Sequence, residues 1–313
     1  GLHFAVCQHM QCPNSNKLYP QTNTSELRRL GHSVIKAGFF YRQCDKALIQ
    51  RYRCLTCKRN FSTETYHSCI YQKKRHLNFL VFEQLNSGIS LRRVSKILKV
   101  DRKTVVRKFV FLGRYCTYRM QNNEHLKHKE IITNVVFDDM ESFEHTKCKP
   151  LSISLAVEEK TRFILGFRVS VMPAKGLIAS KSRLKYGLRK DERSLRRKEL
   201  FGQLKDYVSK NAVFKTDKNP HYPKDIACIF PSAQHIAYKG RRGCIVSQGE
   251  LKAVGFDPLF SLNHTAAMLR ANINRLFRRT WNTTKKAICL EYHIAIYSWY
   301  HNFLLLNPNQ KNI

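Results

Sequence analysis

The sequence predicts a multidomain chain that ends in an α/β domain. Residues 1–75 are rich in cysteine and turn residues, residues 76–130 are helical and basic, and residues 131–313 alternate strand-like with helix-like segments. At 313 residues the chain is long enough for two or three domains, each with a core of its own. We therefore expect each of the three regions to form a separate domain.

The charge of the chain is strongly unbalanced. Lys and Arg number 56 against 22 Asp and Glu, which gives a formal net charge of +34. Such an excess repels itself in the folded state, and the phosphates of a nucleic acid offset that repulsion. An anionic membrane is the weaker alternative, because the basic residues are spread over the chain and no apolar run approaches the ~18 residues of a span. We expect double-stranded DNA as the partner and no membrane.

The first region carries two closely spaced pairs of cysteines. Cys54 and Cys57 stand in YRCLTCKRNFS, where a C-x2-C turn between short strands directs two thiolates at one tetrahedral zinc ion. Cys7 and Cys12 in CQHMQC have a wider spacing, so other residues compete with them as ligands. These competitors are His9, Cys44 and Cys69. The pattern predicts a zinc ribbon over residues 1–75 with structural Zn²⁺ on the four paired cysteines, and the alternative is a set of buried free thiols.

The second region is typical of a three-helix helix-turn-helix domain with a linker. Apolar residues recur at helical spacing in HLNFLVFEQLNSG until Gly88, and Ser90 then caps a second short helix. Asp101 caps a basic third helix predicted to end near Lys108. This geometry places the start of the last helix in a DNA groove. The expected groove or phosphate contacts are Arg92, Arg93, Arg102, Lys103 and Arg107, and the alternative is a helical hairpin with a solvated basic face.

The third region contains five strand-like segments. Ile132–Phe137 leads into the acidic Asp138, and LSISLAV and FILGFRVSV then alternate apolar and polar residues. Ala212–Lys215 is a fourth short strand that ends near Asp217, and a fifth follows near residues 235–238. The helical segments are residues 177–210, which form a basic insertion, about 264–281, and 284–303.

Two carboxylates at strand ends indicate a metal site. If the strands that carry Asp138 and Asp217 are neighbours, their side chains meet at one edge of the sheet. Paired carboxylates there bind Mg²⁺, a hard ion that takes oxygen ligands and serves in-line phosphoryl transfer. A lone strand-end Asp is more often a turn or helix cap. The hypothesis of a catalytic site therefore rests on the pair.

On these motifs the sequence resembles the DDE transposases of bacterial insertion sequences, above all the small ones that join a zinc ribbon to a helix-turn-helix. The resemblance covers nearly the whole chain and rests on CQHMQCPN, QRYRCLTCKRNFS, SLRRVSKILKVDRKTVVRK, VVFDDMESFEHTKCKP, VFKTDKNPHY and LNHTAAMLRANINRLFRRTWNTTKK. It implies an α/β RNase H-like domain over residues 131–313 with a mixed five-stranded sheet. It also implies an enzyme that uses Mg²⁺ or Mn²⁺ to cut DNA at terminal inverted repeats and transfer strands. The resemblance further implies a homo-oligomer on DNA and a cytoplasmic, nucleoid-associated location in bacteria.

The resemblance assigns the three catalytic positions to Asp138, Asp217 and Asn263, a D-D-N set. The third follows from the spacing back from Leu269-Arg270, and it departs from the family because an acid is usual there. An amide oxygen ligates Mg²⁺ more weakly than a carboxylate does. The other acids nearby are Glu250, which is the second choice, Asp257, interpreted as a turn residue, and Glu291, interpreted as a surface or capping charge.

A basic face at helical spacing follows Asn263, and we expect it to contact the phosphates of the transposon end. Its DNA-binding residues are Arg270, Arg275, Arg278, Arg279 and Lys285. The alternative function is a catalytically inactive, domesticated or decayed transposase that acts as a sequence-specific DNA-binding protein. The two hypotheses share every basic residue and differ only at the acidic site. A third and weaker hypothesis is a nuclease of the RNase H type, because a helix-turn-helix implies binding to duplex DNA.

Overall fold

The computed structural model describes residues 12, 34–43, 45–127, 129–239, 257–277, 282 and 284–306. The chain divides into two compact units, within residues 1–78 and 79–313. The helices predicted as a separate domain over residues 76–130 lie largely in the second unit, together with the α/β sheet.

The first unit contains a small antiparallel sheet of three strands. They are β1 (Val34–Arg42), β2 (Ala47–Cys54) and β3 (Asn60–Ser62), with β2 in the middle. Tyr52 of β2 is buried and stacks on Phe61 of β3, with their ring centroids 5.6 Å apart. Since β2 runs directly into the first cysteine of the C-x2-C turn, the strand pairing positions that turn.

Three helices begin the second part of the fold. They are α1 (Leu77–Leu85), α2 (Leu91–Ile97) and α3 (Arg102–Gln121). Ser90 and Asp101 cap α2 and α3 by accepting a hydrogen bond from a backbone N–H of the first turn. Both predicted caps are therefore confirmed.

Helix α3 is much longer than the sequence analysis predicted. It continues to Gln121, whereas its end was expected near Lys108. The apolar spacing that defines one helix face does not stop at that point, and the face packs into the main core of the unit. The buried residues of this face are Val105, Phe109, Leu112, Cys116 and Met120.

The second unit is built around a mixed five-stranded sheet, as expected. The strands are β4 (Ile132–Phe143), β5 (Pro150–Glu158), β6 (Ile164–Val171), β7 (Val208–Asp217) and β8 (Gln234–Tyr238). Their order across the sheet is β6-β5-β4-β7-β8. The hairpins β4-β5 and β5-β6 are antiparallel, and β7 is parallel to both β4 and β8. This arrangement is compatible with an RNase H-like domain.

Helices cover both faces of this sheet. A short helix α4 (Ala179–Tyr186) follows β6, and α5 (Arg193–Leu204) and α6 (Tyr222–Ala227) then pack on one face. The other face packs against α3, α7 (Phe260–Asn272) and α8 (Ala287–Tyr300). Because strand residues alternate between faces, Val136 belongs to one core and Val135 and Phe137 to the other. No helix of the described part of the chain has the length and apolar character needed to cross a membrane.

The last two helical segments differ from the prediction in their bounds. Helix α7 ends at Asn272, not near residue 281, because Ile273 adopts an extended conformation and a 3-10 turn follows at Asn274–Leu276. Helix α8 begins at Ala287 and passes into one π-helical turn at His301–Leu305. The break after α7 places the basic residues that follow it on a different segment from Asn263.

Candidate active site and metal centre

Asp138 and Asp217 come together where β4 and β7 separate. The parallel pairing of the two strands reaches Val136 opposite Lys215, and each aspartate follows its strand's last paired residue by two positions. Their side chains therefore lie on the same face of the sheet. Burial, together with the negative charge of Asp217, raises the pKa of Asp138 to about 6.

The prediction that Asp138 ends its strand is wrong, although the pairing of the two strands is as expected. β4 continues to Phe143 because β5 pairs with it along that whole length. On its other side β7 ends at Asp217, as predicted. Asp138 therefore has a paired strand on one side, and on the other side β7 has already separated from it.

Tyr222 occupies the place where the two strands diverge. Its hydroxyl group donates a hydrogen bond to Asp138 Oδ1 at 3.0 Å and accepts one from the backbone N–H of Asp139 at 3.0 Å. The ring is fully buried against Phe137, with centroids 5.1 Å apart. Burial and the nearby carboxylates raise the pKa of Tyr222, so its hydroxyl stays protonated. The sequence analysis missed this residue, although it lies only five positions after Asp217.

Asp139 is engaged by groups on the opposite face from Asp138. Its Oδ1 accepts a hydrogen bond from Ser154 Oγ at 2.6 Å, and its Oδ2 accepts one from Arg197 Nη1 at 2.7 Å. Arg197 also donates through Nε to Asp225 at 2.7 Å, and both of these side chains are buried. One guanidinium thus joins two carboxylates and ties β4 to α5 and α6. Asp139 anchors the strand that presents Asp138.

Asn263 is hydrogen-bonded to Asp257. Its Nδ2 donates to Asp257 Oδ2 at 2.7 Å, and the other oxygen of Asp257 accepts from the backbone N–H of Leu259 at 2.9 Å. The hydrogen bond from Leu259 to Asp257 forms the turn that the sequence predicted at Asp257. Within the described ranges Asn263 makes no hydrogen bond to the paired aspartates. Glu250, the second choice, lies outside the described residues.

The start of α7 lies level with the first residues of β4. Ser261 Oγ donates a hydrogen bond to the carbonyl of Glu159, and the N–H of Glu159 donates to the carbonyl of Asn134. Asn134 precedes Asp138 by four residues, which is about 13 Å of extended strand. Asn263 follows Ser261 by two residues, and its assignment as the third ligand stays a prediction.

Two other side chains near this region have partners away from the aspartate pair. His264, the residue after Asn263, lies 3.3 Å from Arg162 Nη1, and burial together with Arg162 lowers the pKa of His264. Glu291 was interpreted as a surface or capping charge, and this is wrong. It is half-buried in the middle of α8 beside Arg168, and burial raises its pKa.

A basic cleft of about 560 Å³ opens beside Asp217. Lys175 lines it from the segment between β6 and α5, Arg193 from the first residue of α5, and Lys218 from the loop after β7. The remaining lining residues are Asn219, Pro220 and His221. Two of these cations already have carboxylate partners, since Lys175 pairs with Glu141 at 3.0 Å and Arg193 with Asp191 at 2.5 Å. Such a cleft suits an anion, such as a phosphate, held next to Asp217.

The basic residues predicted for the helix-turn-helix are exposed. Val94 and Val105 face the core, and they leave the opposite sides of α2 and α3 to solvent. Lys99 has a left-handed conformation (φ 51°) in the turn between these two helices. The exposed residues are Arg92, Arg93, Arg102, Lys103 and Arg107.

The basic residues after Asn263 do not form one exposed face. Lys285 is exposed and Arg270 is half-buried. Arg275 packs against the core, with its guanidinium 5.1 Å from the ring centroid of Phe109, and burial lowers its pKa. This packing of Arg275 does not favour a contact with the phosphates of DNA. The predicted contacts Arg278 and Arg279 lie outside the described residues.

Three of the four predicted zinc ligands cluster in the first unit. The Sγ atoms of Cys12, Cys54 and Cys57 all lie within 4.8 Å of one another. Cys12 Sγ and Cys54 Sγ are 3.7 Å apart, close to the ~3.8 Å edge of a tetrahedron with 2.3 Å metal–sulfur bonds. Cys7 lies outside the described residues, and the competing ligand Cys69 is hydrogen-bonded to Asn78 instead. This group of thiols can hold a metal ion.

The surroundings of Cys54 favour its thiolate. Burial by itself raises the pKa of this thiol, but hydrogen bonds from the backbone N–H groups of Cys57 and Thr56 and from the neighbouring thiols outweigh it. The pKa of Cys54 is lowered to about 7. Metal ions bind the thiolate form, so the turn prepares this residue as a ligand.

No protein-family model matches the chain, and no curated protein matches it. The carboxylate pair, the basic cleft and the thiol cluster are therefore the observations from which a function follows.

Proposed function

We propose that the protein is a metal-dependent polynucleotidyl transferase, a DDE-type transposase that cuts DNA at the ends of its own element and joins those ends to a target. The observation that carries this proposal is the pair Asp138 and Asp217, held side by side where β4 and β7 diverge. The motifs that resemble the transposase family, and a sheet order compatible with an RNase H-like domain, support it.

The pair fits a hard divalent cation such as Mg²⁺ or Mn²⁺. Asp138 has a raised pKa because its charge is buried and faces the charge of Asp217. In the part of the chain that the structure describes, no Lys or Arg donates a hydrogen bond to either carboxylate. A cation between them would relieve this repulsion. Asp138 and Asp217 would hold such a cation, which would supply activation of a water or a 3′-hydroxyl group and stabilisation of the leaving oxygen in an in-line phosphoryl transfer.

The chain's own residues then position the DNA. Tyr222 holds one oxygen of Asp138, so the other oxygen is left to the cation. Lys218 contacts a phosphate of the strand in the cleft beside Asp217, and Lys175 and Arg193, which pair with Glu141 and Asp191, line the same cleft. The exposed basic residues of α2 and α3 bind the duplex, and Zn²⁺ on the thiol cluster stabilises the first unit.

Asn263 is the residue we propose as the third ligand. Because a carboxylate accepts hydrogen bonds only, the contact with Asp257 fixes Nδ2 as the donor and leaves Oδ1 for a cation. A neutral oxygen lowers the affinity for the metal, yet a phosphate of the substrate can complete the coordination. Glu250 is the remaining alternative for this position.

A strand-cleavage and strand-transfer assay tests the proposal. Purified protein is incubated with element-end DNA and Mg²⁺ or Mn²⁺, and wild type is compared with Asp217→Ala and Asn263→Ala. Asp217→Ala should bind DNA but neither nick nor join it. The matched control is Asp206→Ala, an exposed aspartate before β7, and it should keep full activity.

Two outcomes would change the assignment. A wild-type protein that binds DNA and never nicks it would replace the enzyme by the second candidate, a DNA-binding protein derived from a transposase. That candidate is favoured by one observation, the neutral Asn263 in the third position. A fully active Asn263→Ala beside an inactive Glu250→Ala would move the third ligand to Glu250.

A further inference from the structure

Three leucines of the segment between β6 and α5 are almost completely exposed. Leu177, Leu184 and Leu188 have relative exposures of 102%, 91% and 88%. The segment, residues 175–193, contains seven basic and two acidic residues. Large apolar side chains left uncovered on a basic segment predict a partner that is anionic and also offers apolar surface.

The other side of this segment is fastened to the β4-β5 hairpin. Ser182 Oγ donates a hydrogen bond to the carbonyl of Cys148 at 2.7 Å, and both residues are buried. Arg189 donates to the carbonyls of Met172 and Pro150, at 3.3 Å each. These hydrogen bonds hold in place the segment that carries the three leucines.

The two ends of the segment line the basic cleft. Lys175 and Arg193 both face the cleft that contains Asp217. A strand whose phosphate lies beside Asp217 could therefore continue onto this segment. With a net charge of +34, the chain attracts a polyanion and repels a second copy of itself.

We propose that residues 175–193 form a nucleic-acid clamp, in which the basic side chains hold phosphates and the three leucines contact bases of the strand next to the reacting phosphate. Apolar side chains play this part in proteins that unstack or kink nucleic acids. The proposal rests on the proposed function, because it places the same strand in the cleft.

The test measures the binding of a mixed-sequence DNA duplex to the full chain without added Mg²⁺ or Mn²⁺. The duplex carries a fluorescent adenine analogue, whose signal rises when the base is unstacked. A variant with Leu177→Ser, Leu184→Ser and Leu188→Ser should bind roughly tenfold more weakly and lose the fluorescence rise. The matched control is Ile131→Ser, a 62% exposed apolar residue just before β4, and it should behave as wild type.

A second variant separates the charge from the leucines. Removing Lys181, Arg183 and Lys185 by substitution with Ala should reduce the slope of log affinity against log salt by up to about 3, since each phosphate contact contributes about 0.9. The leucine variant should leave this slope unchanged. The opposite pattern, in which the leucine variant alters the slope and the base signal persists, would overturn the clamp.

Other occupants of the leucine surface give different results. A leucine variant that binds DNA as wild type does, but shows a lower mass by light scattering, would overturn the clamp and favour a second copy. Loss of binding to phosphatidylserine vesicles, with DNA binding intact, would overturn it in favour of a membrane. In either case wild-type cleavage would leave the proposed function standing, whereas a wild type that binds no DNA would refute the proposed function itself.

Discussion

The hydroxyl group of Tyr222 connects helix α6 to strand β4, because it donates to Asp138 Oδ1 and accepts from the backbone N–H of Asp139, both at 3.0 Å. It thereby takes the place that a neighbouring strand would fill after β7 has separated. The same hydrogen bond lowers the pKa of Asp138, against the larger effects of burial and Asp217 that raise it.

Tyr222→Phe removes both hydrogen bonds and leaves a similar buried ring. We expect a loss of about 1–3 kcal/mol in the free energy of unfolding. The pKa of Asp138 should also rise further, so metal-dependent cleavage should move to higher pH. Thermal unfolding and a pH profile of cleavage measure these effects, with Tyr207→Phe as the matched control. An unchanged pH profile in Tyr222→Phe would show that the hydroxyl does not act on Asp138.

Asp138→Asn should stabilise the metal-free protein at alkaline pH. The pKa of Asp138 is raised from 3.8 to about 6, so the folded state holds this proton more tightly than the unfolded state does. The carboxylate therefore costs stability that grows as the pH rises from 3.8 to about 6 and is complete above it. The variant should be more stable than wild type at pH 8 by up to about 3 kcal/mol, and the difference should vanish below pH 4. Denaturant unfolding in the presence of a chelator measures this, and a less stable variant at pH 8 contradicts it.

Arg197→Met should be strongly destabilising, because it leaves Asp139 and Asp225 without their shared cation. Removing one partner of a buried ion pair costs about 3–5 kcal/mol. Arg196 is the matched control, since the neighbouring arginine pairs with Glu199 at 2.9 Å while both side chains remain about 40% exposed. Arg196→Met should cost no more than about 1 kcal/mol. Equal losses in the two variants would mean that the buried network does not stabilise the fold.

Cys54→Ser and Cys57→Ser should each lower the zinc content of the purified protein. Their thiols lie with Cys12 within 4.8 Å, whereas Cys69 makes a hydrogen bond to Asn78. Cys69→Ser is therefore the control and should retain the metal. Elemental analysis after gel filtration gives the stoichiometry. Loss of zinc from Cys69→Ser but not from Cys57→Ser would assign the ligands differently.

Two buried histidines should make the protein sensitive to acid. The pKa values of His125 and His293 are lowered to about 4 and about 3, chiefly by burial, with Lys129 and Arg275 adding to the effect. Both imidazole rings stay neutral in the folded protein, whereas in the unfolded chain they take up protons below about pH 6.5. The folded protein therefore loses stability as the pH falls from about 6.5 towards the lowered pKa values.

The histidine effect can be measured by substitution. His125→Gln should be less stable than wild type at pH 7, because it disturbs the hydrogen bond to the Leu165 carbonyl. The difference between the two free energies of unfolding should narrow by about 3 kcal/mol at pH 4, where the wild-type histidine destabilises the fold. The exposed His221 is the control, and His221→Gln should show no such narrowing. A gap that stays constant from pH 7 to pH 4 contradicts the expectation.

Local patterns in the sequence predicted most of the elements. Alternating apolar and polar residues marked β5 and β6, and short strand-like segments marked the other three strands of the sheet. Ser90 and Asp101 were identified as helix caps because capping depends only on the next few residues. The spacing of Cys54 and Cys57 likewise predicted a thiol turn from one short segment. These features are determined by neighbours along the chain, and a single sequence contains them completely.

Contacts between distant segments were decided only by the tertiary structure. Tyr222 reaches Asp138 because β7 separates from β4 after Val136, and Arg197 reaches Asp139 because α5 packs on the opposite face. The break of α7 after Asn272 likewise came from packing. The sequence by itself determined which residues bear the carboxylates, the thiols and the charge. The pairing of strands and the packing of helices determined which of these groups meet, since such contacts depend on residues far apart in the chain, which local periodicity does not specify.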